Sequence, residues 1–203
     1  MELIKPNYEI LSPIDGAAIL KSLEMAGRVC YKSEEKITPE SASKFVHMLI
    51  NKGHESVLEH EKISVRFICD RGVSHEIVRH RIASFSQEST RYCNYKGGVA
   101  FILPFWLLNA GQAELEVWNQ AMRIAEESYQ MLIKLGWTPQ QARSVLPNST
   151  KTEIIVTANL REWRTIFKQR TSKAAHPQMR EIMCPLLDEL AFAIPVVFED
   201  IEY

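Results

Sequence analysis

At 203 residues the chain is long enough to bury a core without disulfides or a structural metal. Its 24 basic side chains meet 25 acidic ones, and hydrophobic residues make up 46%, so no global field draws it to nucleic acid or an anionic membrane. The opening stretch MELIKPNYEIL has no signal-like apolar run, no segment approaches the roughly 18 apolar residues of a membrane span, and the four cysteines form no CxxC pair, so the expected setting is a reducing cytoplasm.

The pattern predicts a first helix after Ser12-Pro13, with Ala18, Leu20, Leu23 and Ala26 on its buried side. Thr38-Pro39 reads as an N-cap and first turn, opening a helix that runs to Gly53. EKISVRFIC then alternates, with Ile63, Val65, Phe67 and Cys69 on one face, as a strand should. SHEIVRHRIA reads as a short helix, Phe85 to Tyr95 as extended chain closed by Gly97-Gly98, and VAFILPFW as another short strand. Leu115, Trp118, Met122, Ala125, Tyr129 and Leu132 recur at helical spacing over residues 111–135, with Gly136 as the stop. Thr138-Pro139 starts a short helix that ends at Leu146-Pro147. TEIIVTAN reads as a strand, NLREWRTIFKQR as a helix, and a final helix starts near Pro177 and contains Pro185. The order lacks regular βαβ alternation, so the expected class is α+β: one domain over residues 1–203, a small, mainly antiparallel sheet packed with several helices.

Several chemistries are excluded. His75 and His80 are five residues apart, and at 100° per residue they diverge by roughly 140° on a helix, so no zincin pair forms and no metal site is expected. No G-x-G-x-x-G or P-loop is present, so any nucleotide must be held by side chains, chiefly arginines. Cys30, Cys69, Cys93 and Cys184 have no evident activating base and read as partly buried thiols.

The stretch RHRIASFSQESTR, residues 79–91, is harder to dismiss. On a helix, Arg79, His80 and Arg81 fan apart and serve separate acceptors of one large ligand, or simply face water. In an extended segment, Gln87, Ser89 and Arg91 share a face and offer donors to a pyrimidine, a sugar and a phosphate, or satisfy backbone groups at a strand end. These residues alone leave both readings open.

Arg79-His80-Arg81, seven further residues and then Ser89 make an RHR-x7-S pattern. Around it, in order, stand Gly53-His54-Glu55-Ser56, the block VRHRIASFSQESTRY, then ARSVLPNST, Asn159-x-Arg161, Arg170 and His176. Over about residues 53 to 178 the chain strongly resembles the flavin-dependent thymidylate synthases. The resemblance implies FAD as cofactor, NADPH and methylenetetrahydrofolate as co-substrates, and conversion of dUMP to dTMP. It also implies a homotetramer with active sites between subunits, and no membrane or nucleic-acid partner.

Residue by residue, the resemblance assigns FAD contacts to Ser56, Arg79, His80, Arg81, Gln87, Asn159, Arg161, Thr165 and His176. It assigns dUMP contacts to Glu76, Arg79, Gln87, Glu88, Ser89, Thr90, Arg91, Arg143 and Arg170. Arg91 and Arg143 are the implied phosphate anchors. Arg170 is the implied catalytic group, stabilising charge on N3 and O2 of the uracil. His54 falls at a position near flavin and folate. The family uses no cysteine nucleophile, which agrees with the scattered thiols.

Overall fold

The computed structural model describes residues 1–203 as six strands and eight helices. In chain order they are β1 (Glu2–Ile4), β2 (Asn7–Ile10), α1 (Gly16–Tyr31), α2 (Ser41–Asn51), β3 (Lys62–Asp70), α3 (Arg71–Ile77) and β4 (Ser84–Gln87). There follow β5 (Ala100–Ile102), α4 (Gln112–Lys134), α5 (Pro139–Ala142), β6 (Lys151–Asn159), α6 (Leu160–Arg170), α7 (Pro177–Ala193) and α8 (Pro195–Phe198). The class is α+β, as expected. Four strands form one sheet in the order β2-β3-β6-β4, and β1 pairs with β5. No helix is long and apolar enough to cross a membrane.

The chain divides into two compact units, each built from separated segments. The first contains residues 1–7, 66–79 and 85–155; the second contains 8–65, 80–84 and 156–203. Strands β3 and β6 each run from one unit into the other, at residues 65/66 and 155/156.

In the first unit, β1 lies parallel to β5, with Leu3 opposite Phe101. Phe101 also bridges antiparallel to Thr150. Val99, Phe101, Met122, Tyr129 and Ala142 form the core, with Tyr95, Trp118 and Leu132 packed against it. Met122 and Tyr129 come from α4, whose helical period was legible in the sequence. Gly136 stops α4 at φ +92°, a conformation that glycine adopts without strain. Thr138 and Gln141 close a capping box on α5.

In the second unit, Trp163 of α6 stacks on Phe167 at 5.5 Å, and Phe167 meets Phe198 edge-on at 5.6 Å. The indole N–H of Trp163 donates to the Ile63 carbonyl at 3.0 Å, so the buried ring leaves no polar atom unsatisfied. Arg164 is 2% exposed and forks onto Asp200 at 2.6 and 2.7 Å, with Glu55 at 3.3 Å. It also donates to the Val197 carbonyl.

Two joints shape everything near the candidate site. The Asp70 side chain accepts from Val73 N at 2.7 Å, so β3 becomes α3 with no loop between them. Asn159 does the same for β6 and α6, accepting from Glu162 N at 2.8 Å.

Several expectations need correction. The helix expected over 74–83 starts at Arg71, because Asp70 caps it, and ends at Ile77. Arg79, His80 and Arg81 therefore lie in a turn, not on a helix. Extended chain after residue 84 stops at Gln87; residues 90–92 turn, with Ser89 Oγ accepting from Arg91 N at 3.3 Å, so Gln87, Ser89 and Arg91 share no strand face. Thr38 does not cap α2. The helix begins at Ser41, whose hydroxyl accepts from the Thr38 amide at 2.9 Å. Asp15 caps α1, which does begin after Ser12-Pro13, but Ala18 on that helix is exposed while Leu23 is buried. Strands β1 and β2 were not foreseen.

Helix α1 packs on α2 through Gly27: a methyl there would sit 2.6 Å from Phe45 Cε1 and 3.0 Å from Leu49 Cδ1. Gly27→Ala is expected to destabilise the protein by about 1–3 kcal/mol through overpacking, read as a lower urea midpoint with unchanged slope.

Candidate functional site

Because α3 starts at Arg71, Arg71 and His75 are four residues apart on one helical face. Both line a cavity of about 270 Å³ with Thr90, Arg143 and Asn148, and no acidic residue lines it. Arg143 Nη1 donates to Thr90 Oγ1 at 3.1 Å. Arg71 Nη1 is buried without a hydrogen-bond partner. A buried guanidinium donor left unmet is unfavourable by a few kcal/mol. Nearby in sequence, Arg79 is exposed and no carboxylate neutralises it, while the Arg91 guanidinium lies 5.5 Å from the Tyr92 ring.

A larger cavity of about 560 Å³ is lined by Arg66, Gln87, Glu88, Cys93, Lys151 and Glu153 among others. Gln87 donates to Ser74 Oγ at 2.8 Å and to Thr152 Oγ1 at 3.2 Å, which fixes its amide and turns its oxygen away from both bonds. Tyr95 donates to Glu88 Oε1 at 2.6 Å, and Lys151 bridges Glu88 at 3.1 Å and Glu153 at 2.6 Å. Burial and the Glu88 carboxylate push the Tyr95 phenol up. Burial alone would lower the Lys151 ammonium, but Glu153 and Glu88 raise it instead. The Glu88 carboxylate is thus engaged inside the protein.

The second unit holds the remaining candidates. Arg170 Nε donates to His80 Nε2 at 3.0 Å, and His80 Nδ1 lies 3.5 Å from Glu162 Oε1. His80 is 6% exposed; burial first, then the Arg170 charge, pulls its pKa down to about 4. Burial pushes the Glu162 carboxyl up. Asn159, Arg161, Thr165, Ile82 and Glu162 line a cavity of about 370 Å³ with Glu59. Arg161 pairs with Glu59 at 2.6 Å and Glu55 at 4.0 Å. Arg81 and Ser56 are exposed, and His176 directly precedes α7. The Tyr31 hydroxyl lies 2.8 Å from His54 Nδ1.

The candidates therefore fall into two groups. Glu76, Arg79, Gln87, Glu88, Ser89, Thr90, Arg91 and Arg143 belong to the first unit. Ser56, His80, Arg81, Asn159, Arg161, Thr165, Arg170 and His176, with His54, belong to the second. Reading the sequence missed Arg71, His75, Lys151 and Glu162. The first two become visible once Asp70 is taken as a cap, since i and i+4 spacing then aligns them. Lys151 and Glu162 carry no signal until the sheet and α6 place them.

A family model described as thymidylate synthase complementing protein matches residues 17–196. A flavin-dependent thymidylate synthase of Geobacter sulfurreducens is 33% identical over 88% of this chain and 80% of its own length. One from Mycolicibacterium vanbaalenii is 35% identical, covering 97% and 84%. Among solved structures, a UMP/dUMP methylase PolB from Streptomyces cacaoi, bound with 5-Br dUMP, superposes with a TM-score of 0.80 at 24% identity. That alignment covers 98% of this chain and 96% of that one, and it speaks for the fold.

The lowered His80 value gives a signed expectation. An unfolded histidine titrates near 6.5, so below that pH the unfolded chain takes up a proton that the folded one refuses until about pH 4. His80 therefore contributes stability above pH 6.5 that is lost as pH falls toward 4. Between pH 7 and pH 5 the loss should be about 2 kcal/mol, measured by urea unfolding, and His80→Gln should remove that part of the slope.

Proposed function

Since this chain belongs to the flavin-dependent thymidylate synthase family, we propose that it methylates dUMP to dTMP. Methylenetetrahydrofolate gives the one-carbon unit, NADPH gives the electrons, and tetrahydrofolate leaves. The observation that carries the substrate assignment is the acid-free cavity of the first unit, lined by Arg71, His75 and Arg143. A nucleotide monophosphate supplies the dianion such a cavity lacks.

In this reading, Arg71, Arg91 and Arg143 take the phosphate, with Thr90 orienting Arg143. Ser89, Glu76 and Arg79 bind the rest of the nucleotide. Gln87, held by Ser74 and Thr152, presents its oxygen to the base. Glu88 acts through its backbone and by bracing Tyr95, because its carboxylate is engaged. Arg170 stabilises the negative charge that develops on N3 and O2 of the uracil. The reading calls for no thiol nucleophile, and burial pushes both the Cys69 and the Cys184 thiols up, away from the reactive thiolate.

The donor set of the second unit suits a flavin dinucleotide. Arg161 offers a guanidinium group to a diphosphate, Asn159 and Thr165 offer amide and hydroxyl groups around an apolar Ile82, and exposed Ser56 and Arg81 of the same unit add further donors. The Arg161–Glu59 pair is a surface pair, so an incoming phosphate competes for it at little loss. His176, His54 and the His80 backbone complete the set, with His54 oriented by Tyr31. Bound FAD, once reduced, supplies the hydride that completes the methyl group. We place the enzyme in the cytoplasm as a homotetramer, its active sites between subunits and each chain acting as one catalytic domain.

The test is direct. FAD-loaded protein with dUMP, methylenetetrahydrofolate and NADPH should yield dTMP by chromatography, and dUMP should change the anaerobic bleaching of the flavin. Protein that binds FAD yet forms no dTMP overturns the reading. Arg71→Ala should raise the KM for dUMP at least about tenfold, with a smaller effect on kcat, as loss of a charged hydrogen bond to the phosphate requires. Arg170→Ala should lower kcat by about a hundredfold or more while the enzyme keeps its flavin.

A further inference from the structure

We propose that Glu162 and His80 are a buried positioning pair for Arg170: Glu162 holds the His80 ring as the Nδ1–H tautomer, and the bare Nε2 grips the Arg170 Nε–H. The inference rests on the reading of Arg170 as the group that polarises the uracil, and it deepens that reading by naming what aims it.

The chemistry of the contacts fixes the tautomer. A guanidinium nitrogen only donates, so the imidazole nitrogen 3.0 Å from Arg170 Nε must carry a lone pair. The ring proton then sits on Nδ1, and the group facing Nδ1 at 3.5 Å is the Glu162 carboxylate. Glu162 is 7% exposed, and a carboxyl that well buried needs a donor. Glu162 stands in the first turn of α6 and Arg170 is its last residue, eight positions on. The helix rises about 12 Å over that interval. His80, entering from outside the helix, joins the two ends.

This arrangement restrains a side chain with four rotatable bonds. Arg170 loses freedom along its stem, while its bond to His80 uses the inner nitrogen of the fork and leaves the terminal pair out of that contact. The same geometry changes what His80 does. Both ring nitrogens face protein groups, so its side chain positions Arg170, and any contact it makes with the flavin comes through its backbone. A second proton on the ring would set N–H against N–H at Arg170, so the grip requires the neutral ring.

The experiment uses FAD-loaded enzyme in four forms: native, Glu162→Leu, Glu162→Gln and Arg170→Ala. Glu162→Leu removes the acceptor and is expected to lower kcat about tenfold, the value of one hydrogen bond, while the KM for dUMP moves less than about threefold. Glu162→Gln keeps an oxygen for Nδ1–H and should hold kcat within about threefold of native. Histidine ¹⁵N shifts should report Nδ1–H at His80 in the native protein. Native turnover in Glu162→Leu, with Arg170→Ala inactive, overturns the positioning pair and leaves the enzyme assignment standing. Full kcat in Arg170→Ala instead overturns the role of Arg170 itself, and the pair with it. If Glu162→Leu does not fold, the native spectrum still decides: Nε2–H at His80 overturns the proposal, and Nδ1–H with an active Glu162→Gln supports it.

Discussion

Two short side chains carry an unusual share of this structure. Asp70 and Asn159 each end a strand and cap the helix that follows, without one intervening residue. A cap of this kind stabilises by about 1 kcal/mol, but its larger effect here is geometric. It fixes the phase of the helix to the pleat of the strand. Arg71 and His75 face one cavity because α3 begins at residue 71. Arg161, Glu162 and Thr165 line another because α6 begins at residue 160.

The arginines divide by what they are given. Arg28 is held by Glu24 at 2.7 Å and lies over the Phe45 ring, and Arg164 is held by Asp200 and Glu55; these are structural. Arg71, Arg79, Arg81, Arg91 and Arg143 have no carboxylate partner. A chain of net charge −1 with acids to spare has left those cations unneutralised. That distribution, not the overall composition, is what supports the proposed anionic ligand.

Legibility followed the strength of local signals. The alternation of Ile63, Val65, Phe67 and Cys69, each at most 1% exposed, and the helical period through Met122 and Tyr129 are dictated by burial and could be read directly. The Thr138-Pro139 start carried its own capping chemistry. Strands β1 and β2 are three and four residues long, too short for a period to show. The RHR turn was misread for a different reason. Its residues tolerate a helix, but His80 must turn inward to meet Arg170 and Glu162, and tertiary contacts prevailed over local propensity. The motif itself was visible; which of its side chains reach a ligand and which brace a neighbour was not, because that depends on α6, eighty residues away.

The loop-free joints also limit how this chain can change length. One residue inserted between Asp70 and Arg71, or between Asn159 and Leu160, would rotate the following helix by about 100° against its strand and turn its lining residues elsewhere. Nothing at either joint is slack enough to absorb that. Residues 96–98 and 109–111, outside strands and α-helices and largely exposed, lie where added chain would leave the register of β3, β6 and their helices untouched. Growth and loss of sequence in this molecule are therefore channelled away from the strand ends and into its turns.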